Sequence, residues 1–331
     1  MLRKFLWGMV IPLFGCSVAA AQSPSPALLV LEKNDRSLAI VDPSTLKVVG
    51  RVPAGEDPHE VVASEDGKYA YISNYGGFQT PQHTLSIADL SAQKALPAVD
   101  LGALRAPHGL DLANGKVYFT AEGSKVIGRY DPATNRVDWT LGIGQNRTHM
   151  LVVSRDESRI FTSNVNSDTI SILDRDKNGD VSGWVETPIS VGKGPEGFDV
   201  SPDGREIWAA NSHDGTLSII NVSTRKVTET LDLHTKQVNR VKFTPDGKLV
   251  LISDLQAGEL VILDAPARKE TKRLKLGHGA AGILVVPDGS KAYVAVSPDS
   301  QIAIIDLKTL SVTGRIETGK GPDGMAWAVR K

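Results

Sequence analysis

Cysteine is almost absent from this chain: Cys16 is the only one in 331 residues. Everything after it therefore has no disulfide, no thiolate metal site and no cysteine nucleophile. An excess of charge is missing too. Lys and Arg number 37 against 38 Asp and Glu, a net charge of −1. No field of one sign steers nucleic acid or an anionic membrane toward such a surface, which excludes nucleic acid as a partner. The longest apolar run, Phe5–Phe14, is too short to span a bilayer. Beyond residue 22 no segment has a helical apolar period or spanning length. Also absent are G-x-S-x-G, H-E-x-x-H, C-x-x-C-H and a Gly-rich phosphate loop after a strand. What remains, 41% hydrophobic and 23% charged residues, is a composition that can bury a core.

The N-terminus reads as a targeting segment. Arg3 and Lys4 precede the apolar run, and the small-residue stretch Ser17–Ala21 follows it. That order predicts a secretory signal peptide over 1–21, cleaved after Ala21, and a periplasmic or secreted single domain over 22–331. The less favoured alternative is a lipoprotein at Cys16, because Leu13-Phe14-Gly15-Cys16 approaches a lipobox but has bulky Phe14 where a small residue is usual.

An internal repeat decides the architecture. Alternating apolar residues closed by Asp or Asn recur from Leu38-Ala39-Ile40-Val41-Asp42 to Ile302-Ala303-Ile304-Ile305-Asp306, with closing positions 42, 89, 131, 174, 221, 264 and 306. The period is about 44 residues in seven copies. Each copy carries four strand signals bounded by turn chemistry. In one repeat these are Gly197–Ser201, Glu206–Asn211, Leu217–Asn221 and Val227–Leu231, with Ser201-Pro202-Asp203-Gly204 and Asp214-Gly215 as turns. Four strands per repeat at this period predict an all-β, seven-bladed β-propeller. Gly319–Val329 supplies only a first strand and Ala27–Val52 only the other three, so the two ends are expected to share one blade and close the ring.

The second strands read Tyr71-Ile72-Ser73-Asn74, Tyr118-Phe119-Thr120-Ala121, Phe161-Thr162-Ser163-Asn164 and Trp208-Ala209-Ala210-Asn211. With the Pro-Asp-Gly turns they resemble the YVTN family of β-propellers over nearly all of the chain. That resemblance implies the fold. It leaves function open, because the family spans surface-layer-like, binding and enzyme-associated members.

Aligning the seven first-strand starts places Pro58-His59, Pro107-His108, Thr148-His149, Pro195-Glu196, Val238-Asn239, Ala280-Ala281 and Pro322-Asp323 in one column. Three of the chain's seven histidines occupy one repeat position in consecutive blades, at the mouth of the central channel. His59, His108 and His149 are thus candidate metal ligands, with Glu196 completing the arc. Imidazole suits zinc, copper or iron. The competing explanation is a Pro-His turn inherited by duplication without any ligand. Arg147 and Arg240 flank these starts and could bind a carboxylate or phosphate. Asn239 and Asp323 are in the same column, and second-strand ends put Asn74, Glu122, Asn164 and Asn211 on the same face as candidate ligand-binding residues. The loop Tyr75–His83 is longer than its equivalents and reads as a recognition loop. Separately, Asp174, Asp176, Asn178 and Asp180 match the start of a calcium loop, although Val185 stands where its bidentate glutamate is expected.

These features support an exported propeller that binds a small ligand or transition-metal ion at a His-rich channel mouth. A metal-dependent, lactonase-like hydrolase or lyase is the alternative, with His108, His149 or Glu196 in catalytic roles. Resemblance to gluconolactonase-type propellers implies Glu196, Asn239 and Asp323 as calcium ligands in that case. A scaffold that binds another cell-envelope protein is the third reading.

Overall fold

A computed structural model describes residues 23–77, 79–176 and 183–331. The expected signal segment with Cys16, and Phe78, Asn178 and Asp180, lie outside the described residues. Among those described, seven four-stranded antiparallel sheets form a closed ring, and the only helical pieces are three single 3-10 turns. Among the described residues no helix is long and apolar enough to cross a membrane.

The inner strands begin at the seven aligned positions: Pro58, Pro107, Thr148, Pro195, Val238, Ala280 and Pro322. We number the blades by the order in which the chain enters them. Blade 1 contains Ala27–Glu32, Ser37–Asp42 and Lys47–Pro53, and takes Pro322–Ala328 from the C-terminus as its inner strand. The inner strands of blades 2 to 7 are Pro58–Ala63, Pro107–Ala113, Thr148–Val153, Pro195–Val200, Val238–Phe243 and Ala280–Val285. The closing pair runs antiparallel, Ala27 opposite Ala328 and Leu29 opposite Ala326. It is pinned by fully buried Glu32, which accepts from Gly319 N at 2.6 Å, Ser37 Oγ at 2.6 Å and Arg51 Nε at 2.9 Å.

The core lies between blades. Middle strands such as Glu206–Asn211 are buried along nearly their whole length, because both faces of each sheet are covered by neighbours. Outer strands such as Arg136–Gly142 alternate exposed and half-buried. Trp208 of blade 5 meets Phe243 of blade 6 edge to face at 5.4 Å, and Trp139 of blade 3 meets Trp184 of blade 4 at 5.8 Å. These contacts make each blade depend on the next.

At the axis, seven strands converge with little space. The third residue of each inner strand runs Gly324, Glu60, Gly109, Met150, Gly197, Arg240, Gly282 around the ring. Side chains there come only from blades 2, 4 and 6. A Cβ on Gly197 would lie 2.2 Å from the Asn239 carbonyl oxygen and 2.8 Å from Arg240 Cα. Glycine therefore alternates with side chains from blade 1 to blade 7, where Gly282 meets Gly324 as the odd-numbered ring closes, because each glycine yields its volume to the next strand.

Candidate functional site

One end of the channel opens into a cavity of 670 Å³. Two rings of side chains face it. The first is the column found in the sequence: His59, His108, His149, Glu196, Asn239, Ala281 and Asp323 all line the cavity. The second is the residue just after each second strand, where Lys33, Tyr75, Leu255 and Ser297 line the cavity and Glu122 stands behind His149. Extending the alignment one residue past the second strands would have exposed this ring. The strand of blade 3 ends at Ala121, opposite Pro107, so Glu122 is the counterpart of Tyr75 and not of Asn74.

The turn that delivers the first ring is strained where the histidines are. The residue before the inner strand is left-handed in six blades. It is glycine in three (Gly194, Gly279, Gly321), but Asp57, Ala106 and Arg147 in the histidine-bearing blades, with φ of 49°, 54° and 53°. Such a non-glycine residue costs about 1 kcal/mol. At Asp57 and Arg147 that conformation places a charged side chain at the cavity wall.

The three imidazoles are packed in a row. Ring centroids are 4.5 Å apart from His59 to His108 and 3.7 Å from His108 to His149, and Tyr75 lies 4.9 Å from His59 and 5.4 Å from His108. Their nitrogens do not share one point. His59 Nε2 accepts from Lys33 Nζ at 2.7 Å while its Nδ1 donates to the Asp57 carbonyl at 3.1 Å. His149 Nδ1 donates to Glu122 Oε1 at 2.5 Å, and Tyr75 Oη donates to the other Glu122 oxygen at 2.8 Å. His108 Nδ1 is buried with no hydrogen-bond partner. The donor set that does converge is His108, His149 and Glu122, all buried, with one ligating atom from each within 4.8 Å of the others. His59 and Glu196, expected in the metal set, are placed elsewhere: Glu196 accepts from Asn239 Nδ2 at 3.0 Å and faces Arg147 at 4.0 Å.

The electrostatics follow from burial. Desolvation, then the neighbouring His149 and His59, pushes His108 well below the ordinary imidazole range. Desolvation and the Lys33 ammonium lower His59 to about 4. Burial acts to raise Glu122, but the hydrogen bond and charge of His149, then Arg147 and Tyr75, outweigh it and hold its carboxyl below the usual range. Burial and Glu122 push the Tyr75 phenol upward. Asp323 is held low against its burial by Lys33 and Arg240. Around the cavity the cations Lys33, Arg147 and Arg240 meet five carboxylates: Asp57, Glu60, Glu122, Glu196 and Asp323. Carboxylates thus outnumber the lysine and arginine cations there, five to three.

The shift at His59 has a measurable consequence. Below pH 6.5 the unfolded chain binds a proton that the folded chain refuses until about pH 4. The stability contributed by neutral His59 is therefore complete above pH 6.5. It falls by about 1.4 kcal/mol per pH unit as pH drops toward 4. Urea titrations of wild type and His59→Gln at pH 7.5 and 4.5 should show the variant losing less stability on acidification. Equal losses would contradict the assignment.

The remaining sequence candidates lie apart from the cavity. Asn74 donates to Thr84 and Ser86, Asn164 to Thr169 and Ser171, and Asn211 to Thr216 and Ser218. All three tie strands together inside their blades. Asp174 is paired with Arg159 at 2.8 Å and Arg225 at 2.7 Å, so its carboxylate is already matched by two guanidinium groups.

The floor of the cavity is an ion pair across the axis. Arg240 of blade 6 reaches Glu60 of blade 2 at 2.6 Å, with the two side chains 8% and 14% exposed. Beyond it lies a second chamber of 440 Å³, walled by inner-strand residues including Val61, Leu110 and Leu151.

Comparison with known proteins agrees with this architecture. The family model described as Lactonase, 7-bladed beta-propeller matches residues 140–243. No curated protein sequence matches the chain. Among solved structures, a protein of unknown function from Desulfotomaculum acetoxidans superposes with a TM-score of 0.76 at 13% identity, covering 93% of this chain and 100% of its own. Hydrazine synthase from Kuenenia stuttgartiensis gives 0.74 at 18%, covering 89% and 99%. A 6-phosphogluconolactonase-like protein from Bacteroides uniformis gives 0.74 at 16%, covering 92% and 99%. At these identities the likeness is one of fold.

Proposed function

We propose that this is an exported, YVTN-like propeller that binds a divalent transition-metal ion on His108, Glu122 and His149, leaving the open side of the cavity for a small molecule. The observation that carries this reading is the buried cluster of two imidazoles and one carboxylate within 4.8 Å, in which His108 Nδ1 has no other partner. Two histidines and a glutamate are a ligand set of catalytic zinc sites, and imidazole also suits copper and iron. A cavity whose carboxylates outnumber its lysine and arginine side chains suits a bound cation. Tyr75, behind Glu122, orients the carboxylate as outer-shell partners do.

Metal analysis of protein purified without a metal-chelating tag tests this. About one equivalent is expected, with affinity falling 10- to 100-fold or more in His108→Ala and His149→Ala. Wild-type protein that carries no metal and gains no thermal stability from added zinc, cobalt or copper would end the proposal.

Lactone hydrolysis is the second reading. It is favoured by the lactonase-model match, which spans His149, Glu196, Asn239 and Arg240, and by the Glu122–His149 pair, an oriented imidazole suited to general-base work. Arg147 and Arg240 already face carboxylates, so an uncharged lactone suits the cavity better than a phosphorylated one. Turnover of simple lactones, lost in His149→Ala, would support hydrolysis. Metal retention without turnover would leave binding alone.

A further inference from the structure

We propose that the Lys33 ammonium is a resident cation: it fills a second cation position in this cavity, built by His59, Asp57 and Asp323, and so confines an external ion to His108, Glu122 and His149. The inference rests on the metal reading above for the second half of that statement only.

Lys33 follows the second strand of blade 1, at the repeat position held by Tyr75 and Glu122 in the next two blades. Its backbone is fixed across the ring closure, with Lys33 N donating to Gly321 O at 3.0 Å and Asn34 N to Lys320 O at 3.1 Å. The side chain is 22% exposed, and its Nζ lies 2.7 Å from His59 Nε2, 3.4 Å from Asp323 Oδ2 and 3.5 Å from Asp57 Oδ1. An ammonium has three donors and no acceptor, and here it meets three acceptors. His59 is set to receive it, because its Nδ1 is turned to the Asp57 carbonyl. One imidazole and two carboxylates are also metal-ligand types, and around the ammonium they stand wider apart than His108, Glu122 and His149, so an ion that replaces it draws them inward. A further acceptor is at hand, since Asp323 Oδ1 is buried without a hydrogen-bond partner. Lys33 closes this set from within the chain. That is why the third histidine of the phased column does not join the first two.

The test is cobalt and zinc uptake by metal-stripped wild type, Lys33→Met and Lys33→Arg, followed by equilibrium dialysis. Removing the ammonium should add one bound ion per chain, at least tenfold tighter than any additional binding to wild type. Lys33→Arg should behave as wild type, and Lys33→Met/His59→Ala should lose the added ion. If Lys33→Met takes up no more metal than wild type, the inference is overturned. If wild type takes none and Lys33→Met takes one, the proposed function falls and this inference stands. A measurement on wild type guards against a variant that fails to fold. Nitrogen-15 NMR should find His59 as the Nδ1–H tautomer, and an Nε2–H tautomer would overturn the proposal.

Discussion

Arg240→Met should destabilise the protein by about 3–5 kcal/mol, the cost of leaving a buried charge without its partner. Arg240 is 7% exposed and reaches Glu60 at 2.6 Å across the channel. Burial acts against its charge, yet Glu60, then Asp323 and Glu196, hold the guanidinium more firmly protonated than usual. Removing it exposes three carboxylates, Glu60, Asp323 and Glu196, to one another. Replacing both members of the pair with apolar residues of similar volume removes the uncompensated charge as well. Glu60→Leu/Arg240→Met should therefore recover most of the loss. Urea denaturation of the two single variants and the double variant gives the coupling directly. A single-variant loss under 1 kcal/mol, or a double variant no better than Arg240→Met, would show that the bar across the channel is solvated and carries little energy.

The fold could be read from the sequence because a propeller repeats its chemistry. The alternating run closed by Asp or Asn recurs seven times, and turn residues recur with it, so the repeat marks every inner-strand start from Pro58 to Pro322. The same phasing located the histidine column, since a residue's place in the repeat fixes its place on the ring. What stayed hidden depends on side-chain reach between blades. Glu122 pairs with His149 of the following blade, and Lys33 reaches both His59 and Asp323. Asn74, Asn164 and Asn211 share a repeat position too, but for a structural reason: each amide bridges hydroxyls on its own blade's third strand. Recurrence shows that a position has a constraint. Only geometry separates an asparagine that ties strands from a histidine that faces a cavity. His59 shows the limit most clearly, for it belongs to the column but its nitrogen is taken by a lysine some 26 residues earlier in the chain.

The glycines on the axis supply the other large effect. Gly324→Ala should cost about 3 kcal/mol or more, at the upper end of overpacking penalties. The added methyl group would stand 2.3 Å from the His59 carbonyl oxygen and 3.1 Å from Glu60 Cα. Backbone atoms, unlike the end of a flexible side chain, cannot swing aside. Relief must come from moving the inner strand of blade 2 relative to that of blade 1. Those strands carry His59, Glu60 and Asp323, so a shift of a few tenths of an ångström disturbs the Lys33 contacts and the Arg240–Glu60 bar together. Alanine at Gly204 is the control for glycine loss as such, because Gly204 has positive φ but open space around its Cβ position. That substitution should cost about 1 kcal/mol, from backbone conformation alone. If Gly324→Ala is no worse than Gly204→Ala in urea denaturation, the inner strands have room to separate. The alternation of Gly324, Glu60, Gly109, Met150, Gly197 and Arg240 would then not be a packing requirement.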